Sequence, residues 1–96
     1  MKPPFSVHTT PHYERLVRRL VKGQPELRAL LDKVGAVLES DPYNVSRQHP
    51  IKKLEGVAPG AGQYRLRLGR FRFRYDIYGQ EVWLFYCGLR REDTYR

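Results

Sequence analysis

Between Tyr64 and Ile77 the chain alternates apolar and polar residues: Tyr64-Arg65-Leu66-Arg67-Leu68, then Gly69-Arg70, then Phe71-Arg72-Phe73-Arg74-Tyr75-Asp76-Ile77. Side chains of a strand point to opposite faces in turn, so a period of two fits a half-buried strand and excludes an amphipathic helix. A two-residue break that opens with glycine fits the tight turn of a hairpin. The register follows from that turn. Leu68 pairs with Phe71, Arg67 with Arg72, Leu66 with Phe73, Arg65 with Arg74 and Tyr64 with Tyr75. One face of the hairpin then carries Tyr64, Leu66, Leu68, Phe71, Phe73, Tyr75 and Ile77, and must be covered. The other carries Arg65, Arg67, Arg72 and Arg74. Glu81 to Leu89 reads as a further strand after a turn at Gly79-Gln80. Unbroken alternation there places Val82, Leu84 and Tyr86 on the core face, with Trp83, Phe85 and Cys87 beside the arginines.

The cover for the apolar face lies upstream. Phe5 to Thr10 has the look of a short strand, ended by Pro11. Thr10 is a natural N-cap for a helix whose first position is Pro11, and Tyr13, Leu16, Val17, Leu20 and Val21 form its apolar stripe up to Gly23. A second helix from near Pro25 carries Leu27, Leu30, Leu31, Val34 and Leu38 on one side and stops before Asp41-Pro42. The short connection between them favours an antiparallel helical hairpin. From Tyr43 to Gly62 periodicity is lost among Pro50, Gly56, Pro59, Gly60 and Gly62, which reads as loop. The predicted order is βααβββ, an α+β fold in one domain over residues 1–96, with the helices on one face of a mostly antiparallel sheet.

Composition narrows the function. The 96 residues carry 18 Lys and Arg against 10 Asp and Glu, a net charge of +8, with arginine concentrated in the last third. Like charges facing each other across a sheet cost some tenths of a kcal/mol up to about 1 kcal/mol per pair, so two stacked Arg–Arg pairs are a burden that folding does not explain. A polyanion relieves it, and the guanidinium fork is well matched to phosphate. Aromatic neighbours add stacking surface for bases. One cysteine, Cys87, excludes an internal disulfide and reads as a structural thiol. His8, His12 and His49 are too scattered for a metal site, and no metal or other cofactor is expected. The longest apolar run is far too short to span a membrane, and the N-terminus lacks a signal-peptide pattern, so a cytoplasmic protein without a membrane partner is expected.

Three stretches resemble the RelE/ParE superfamily of bacterial toxins. They are His49-Pro50-Ile51-Lys52-Lys53-Leu54-Glu55-Gly56, the run from Gly62 to Ile77, and Gly88-Leu89-Arg90-Arg91-Glu92-Asp93-Thr94-Tyr95-Arg96. The stretches lie in the second half of the chain, and the likeness as a whole extends over nearly all of it. The resemblance implies a helical hairpin on a twisted sheet, and a toxin of a type II toxin–antitoxin pair. RelE-like members are ribosome-dependent endoribonucleases that cut mRNA in the A site, so the implied partners are a cognate antitoxin, the ribosome and mRNA. On this resemblance Arg72 matches the phosphate-stabilising arginine, Arg90 or Arg91 the arginine after the last strand, and Tyr95 the C-terminal tyrosine that stacks on a base or assists proton transfer. The implied catalytic set is Arg65, Arg67, Arg72, Arg90, Arg91 and Tyr95, with Lys52, Lys53, Arg74 and Phe85 as RNA contacts.

Cleavage by the ribose 2′-hydroxyl needs that proton removed, the phosphorane charge stabilised and the leaving 5′-oxygen protonated. Arginines serve the second task and are poor bases. Where RelE-like enzymes carry lysines this chain has Arg65 and Arg67, and the C-terminal histidine of related members is missing. The base is open among Glu92, Asp93, His49, Lys52 and Lys53, or is dispensed with in favour of positioning. The alternatives are a ParE-like inhibitor of DNA gyrase and a catalytically degenerate member that binds only nucleic acid or antitoxin, since one fold serves several uses.

Overall fold

The computed structural model describes residues 3–89. Its elements are β1 (Ser6–Thr9), α1 (Pro11–Gly23), α2 (Leu27–Ser40), β2 (Ile51–Lys53), β3 (Tyr64–Leu68), β4 (Phe71–Tyr78) and β5 (Glu81–Leu89). The strands form one sheet in the order β1-β5-β4-β3-β2, with β1 parallel to β5 and every other pair antiparallel. This is the expected α+β arrangement with one added strand. Residues 51–53 fall in the stretch read as loop, so the order is βααββββ. Three residues are too few to show a period, and β2 exists because β3 offers it an edge: Ile51 pairs with Leu66, Lys52 with Arg65 and Lys53 with Tyr64.

Helix α1 starts as its sequence dictates. The Thr10 hydroxyl oxygen accepts from the Tyr13 N–H at 3.2 Å, and Pro11 occupies the first turn, where a missing N–H costs nothing. The same hydroxyl donates to the Leu84 carbonyl at 2.9 Å, fixing the helix start on β5. Tyr13, Leu27, Val34, Val37 and Leu38 from the helices meet Leu66, Leu68, Phe71, Phe73, Tyr75, Val82, Leu84 and Cys87 from the sheet in one buried cluster. Each large side chain buried there contributes about 1.5–3 kcal/mol. The buried Tyr75 hydroxyl is satisfied by the Pro42 carbonyl at 2.7 Å. Its ring stacks on Tyr64, with centroids 5.5 Å apart, and Tyr43 meets Tyr64 edge-on.

The β3–β4 hairpin has the register that the alternation requires, Tyr64 opposite Tyr75 through Leu68 opposite Phe71. Gly69 opens the turn at φ 57°, a left-handed conformation that glycine adopts without steric cost. Arg70, beside it, reaches away from the sheet to Gln24 and to Glu26, whose Oε2 lies 2.5 Å from its Nη2. That hydrogen bond holds the Glu26 carboxyl below the usual carboxylate range.

Strand β5 departs from the simple alternation. A bulge lies between the partners of Arg74 and Tyr75: Tyr75 faces Leu84, Arg74 faces Tyr86, and Phe85 is the extra residue. A single inserted residue exchanges the two faces of everything beyond it. Cys87 therefore pairs with Phe73 and is buried at 1% exposure, while Tyr86 and Gly88 face outward opposite Arg74 and Arg72. This corrects the expectation that Tyr86 lies in the core and that Cys87 joins the arginines; Phe85 is the half-buried residue at which the exchange occurs. The exchange places an apolar thiol and Leu89 on the helix-covered side and leaves the residue without a side chain, Gly88, on the outside.

Candidate nucleic-acid interface

The outward face of the sheet is built in cross-strand rows. One runs Lys52, Arg65, Arg74, Tyr86 across β2, β3, β4 and β5; the next runs Arg67, Arg72, Gly88. Pairing β2 onto the edge is what recruits Lys52 to this surface. Its neighbour Lys53 points to the other face, where its Nζ lies 5.8 Å from the centroid of the Tyr64 ring. The two loop lysines are thus separated by the pleat. Arg65, Arg67, Arg72 and Arg74 are all half-buried, and the Nε atoms of Arg65 and Arg72 are shielded from solvent.

Two outward residues of β4 anchor the loop before β3. Asp76, 1% exposed, accepts from the Gly60 and Gly62 N–H groups through Oδ2 at 2.9 and 3.0 Å, and from the Gln63 N–H through Oδ1 at 2.8 Å. Burying a carboxylate is costly unless such donors surround it. Arg74 grips the same loop from below, its Nε and Nη2 donating to the Gly62 carbonyl at 3.1 and 3.0 Å. Arg74, expected as an RNA contact, is also a loop anchor. Beyond Asp76 the surface becomes aromatic: Trp83, paired with Asp76, stacks on His8 with centroids 4.5 Å apart and planes 18° from parallel.

His49 sits elsewhere, in a loop that satisfies itself. Its backbone exchanges hydrogen bonds with the Asn44 side chain at 2.9 and 3.1 Å, and its Nε2 lies 3.9 Å from Asp41. The Ser46 hydroxyl, at 2.6 Å, holds the Asp41 carboxyl below the usual carboxylate range, helped by the N–H groups of Val45 and Ser46 and by His49. Cys87 is no nucleophile: burial pushes its thiol up to about 12, and β4 places Phe73 opposite it. Arg90, Arg91, Glu92, Asp93 and Tyr95 lie outside the described residues. Among the described residues no group of three or more His, Cys, Asp or Glu is placed to hold a metal ion, and no helix is long and apolar enough to cross a membrane.

Tyr86 is the residue of this face that sequence reasoning missed. The signal is faint but present: Gly88, two residues on, is out of place in a strand core and marks either a bulge or a close approach.

The whole arrangement has a solved counterpart. A chain of the RelBE2 toxin–antitoxin complex from Mycobacterium tuberculosis superposes with a TM-score of 0.68, over 91% of this chain and 99% of that one, at 22% identity. The fold is RelE-like. No family model matches the sequence, and no curated protein matches it. The likeness thus lies in the RelE-like architecture.

Proposed function

We propose that this protein is the toxin of a type II toxin–antitoxin pair, acting in the cytoplasm as a ribosome-dependent mRNA endoribonuclease. The observation that carries the reading is the in-register arginine surface, Arg65 opposite Arg74 and Arg67 opposite Arg72, on the sheet face the helices leave open. Such a surface is expensive without an anion, and the guanidinium fork matches the paired oxygens of a phosphodiester. The RelE-like fold and its solved counterpart in a toxin–antitoxin complex support the toxin reading. An acidic antitoxin complements a chain of net charge +8 and removes the surface from RNA when bound.

In this reading Arg72 and Arg67, adjacent across two strands, hold the scissile phosphate and stabilise the charge that develops on it. Arg65 and Lys52 steer the neighbouring phosphate, and Trp83 with His8 offers a platform for a base further along the strand. Arg90 or Arg91 and Tyr95 complete the site by the family resemblance. No metal is required, because the attacking nucleophile is the substrate's own 2′-hydroxyl.

The test is to add the purified protein to ribosomes programmed with a defined mRNA and to map breaks by primer extension. Breaks in the A-site codon are expected, and Arg72→Ala should lower the cleavage rate by about 100- to 1,000-fold, the range for loss of one transition-state donor, without unfolding the chain. An active Arg72→Ala protein removes the assignment. Intact mRNA beside a well-folded toxic protein turns the surface into a protein-binding one and makes gyrase supercoiling the next assay.

A further inference from the structure

Among the described residues, the arginine face has donors in abundance and few acceptors. Lysine and arginine side chains only donate hydrogen bonds, yet the attacking 2′-hydroxyl has to give up a proton. Asp76, the carboxylate nearest the arginines on β4, is buried and already accepts three backbone N–H groups. In the two cross-strand rows that hold Lys52, Arg65, Arg74, Arg67 and Arg72, the remaining side chain able to accept is Tyr86.

Its placement is built into the strand. The bulge at Phe85 turns Tyr86 outward opposite Arg74. The ring then lies along β5 over Gly88: its Cζ is 2.6 Å from the point where a Cβ at residue 88 would stand, with the hydroxyl oxygen closer still. Residue 88 has to be glycine for the ring to lie there. Gly88 is the partner of Arg72. The hydroxyl is therefore carried from the row of Arg74 into the row of Arg67 and Arg72, where the scissile phosphate is placed above. Bulge, ring and glycine serve one end, delivering an oxygen to the centre of a cationic surface.

We propose that Tyr86 is a catalytic residue of the cleavage reaction, its hydroxyl relaying the proton from the 2′-oxygen; this rests on the nuclease reading given above. As the 2′-O–P bond forms, the 2′-hydroxyl proton passes to Tyr86 Oη, and the proton already on Oη passes to a non-bridging phosphoryl oxygen. The P–O5′ bond then breaks and the 5′-oxygen leaves with that proton. The products are a 2′,3′-cyclic phosphate and a 5′-hydroxyl, and Tyr86 ends neutral, as it began. The surrounding guanidinium groups stabilise the charge on both the entering oxygen and the phosphoryl group.

Tyr86→Phe tests this, because it keeps the ring over Gly88 and removes only the oxygen. With wild-type protein, Arg72→Ala and Tyr86→Phe compared in single-turnover cleavage on programmed ribosomes, Tyr86→Phe should be slower than wild type by about 100-fold, the lower range for loss of a proton-transfer group. Its affinity for ribosomes carrying a 2′-O-methylated, uncleavable codon should be unchanged. Gly88→Ala, which displaces the ring, should show a similar loss, and the double variant should be little slower than Tyr86→Phe alone. Circular dichroism melting identifies any variant that fails to fold, and either single variant suffices for the comparison. Wild-type rates in a folded Tyr86→Phe protein, with Arg72→Ala inactive, overturn the proposal and leave the nuclease reading intact. A Tyr86→Phe loss that appears wholly as weaker binding overturns it as well. If the wild-type protein itself leaves mRNA whole, the nuclease reading falls and the relay falls with it.

Discussion

The two faces of the β3–β4 hairpin share one register and have opposite energetics. On the inner face Leu66, Leu68, Phe71, Phe73 and Tyr75 are buried against the helices, and each cross-strand contact adds to stability. On the outer face Arg65 stands opposite Arg74 and Arg67 opposite Arg72, and each contact subtracts from it. The inner face therefore supports the outer one. The charged rows persist because the backbone ladder that aligns them is held by burial on the other side. Conformational specificity and ligand chemistry are thus divided between alternate residues of the same strands.

The division is most severely tested by Phe73→Ala, fully buried at the centre of the inner face. Its expected cost is about 3–5 kcal/mol, read as a lowered midpoint in urea unfolding. Next comes Asp76→Ala, the exception on the outer face, where a carboxylate organises backbone. Removing it strands the N–H groups of Gly60, Gly62 and Gln63 and should cost about 1–3 kcal/mol, with hydrogen exchange rising first in that loop. If exchange rises uniformly instead, the outer face is more deeply part of the fold than the comparison allows.

A smaller effect of opposite sign is expected from Arg67→Thr. It relieves one like-charge pair and should raise stability by a few tenths up to about 1 kcal/mol in low salt, with the gain shrinking as salt is added. The same variant should lose cleavage activity. The smallest effect is on the inner face at high pH. Burial pushes the Cys87 thiol from 9.0 to about 12, so the unfolded chain releases this proton before the folded one does. The contribution is fully present below pH 9 and is lost as pH rises from there towards 12. Tyr13 and Tyr75, also raised by burial, add to that loss. Urea midpoints should stay level through neutral pH and fall above pH 9, and Cys87→Ala should fall less steeply over that range.

Much of this was legible from local pattern. The hairpin register came from a period of two and one glycine, and the start of α1 from Thr10 and Pro11, because these are interactions between residues a few positions apart. Strand β2 was not legible. Ile51-Lys52-Lys53 is too short to carry a pattern, and it is a strand only because β3 has an open edge to pair with. For the same reason the different destinations of Lys52 and Lys53 were hidden.

By itself, then, the sequence determined that there would be an apolar face needing helices and a cationic face needing an anion. The spacing of side chains along a strand is a property of the backbone, and no partner is needed to set it. Only the tertiary structure decided which residues join that cationic face from elsewhere. Alternation carried unbroken through β5 predicts Cys87 on that face and Tyr86 in the core; the bulge at Phe85 buries Cys87 and supplies Tyr86 and Gly88. A bulge is chosen by the fit of a whole strand between two neighbours and a core, here Cys87 against Phe73 within and the Tyr86 ring over Gly88 without. That fit depends on contacts between residues far apart in the chain, and no local pattern encodes them.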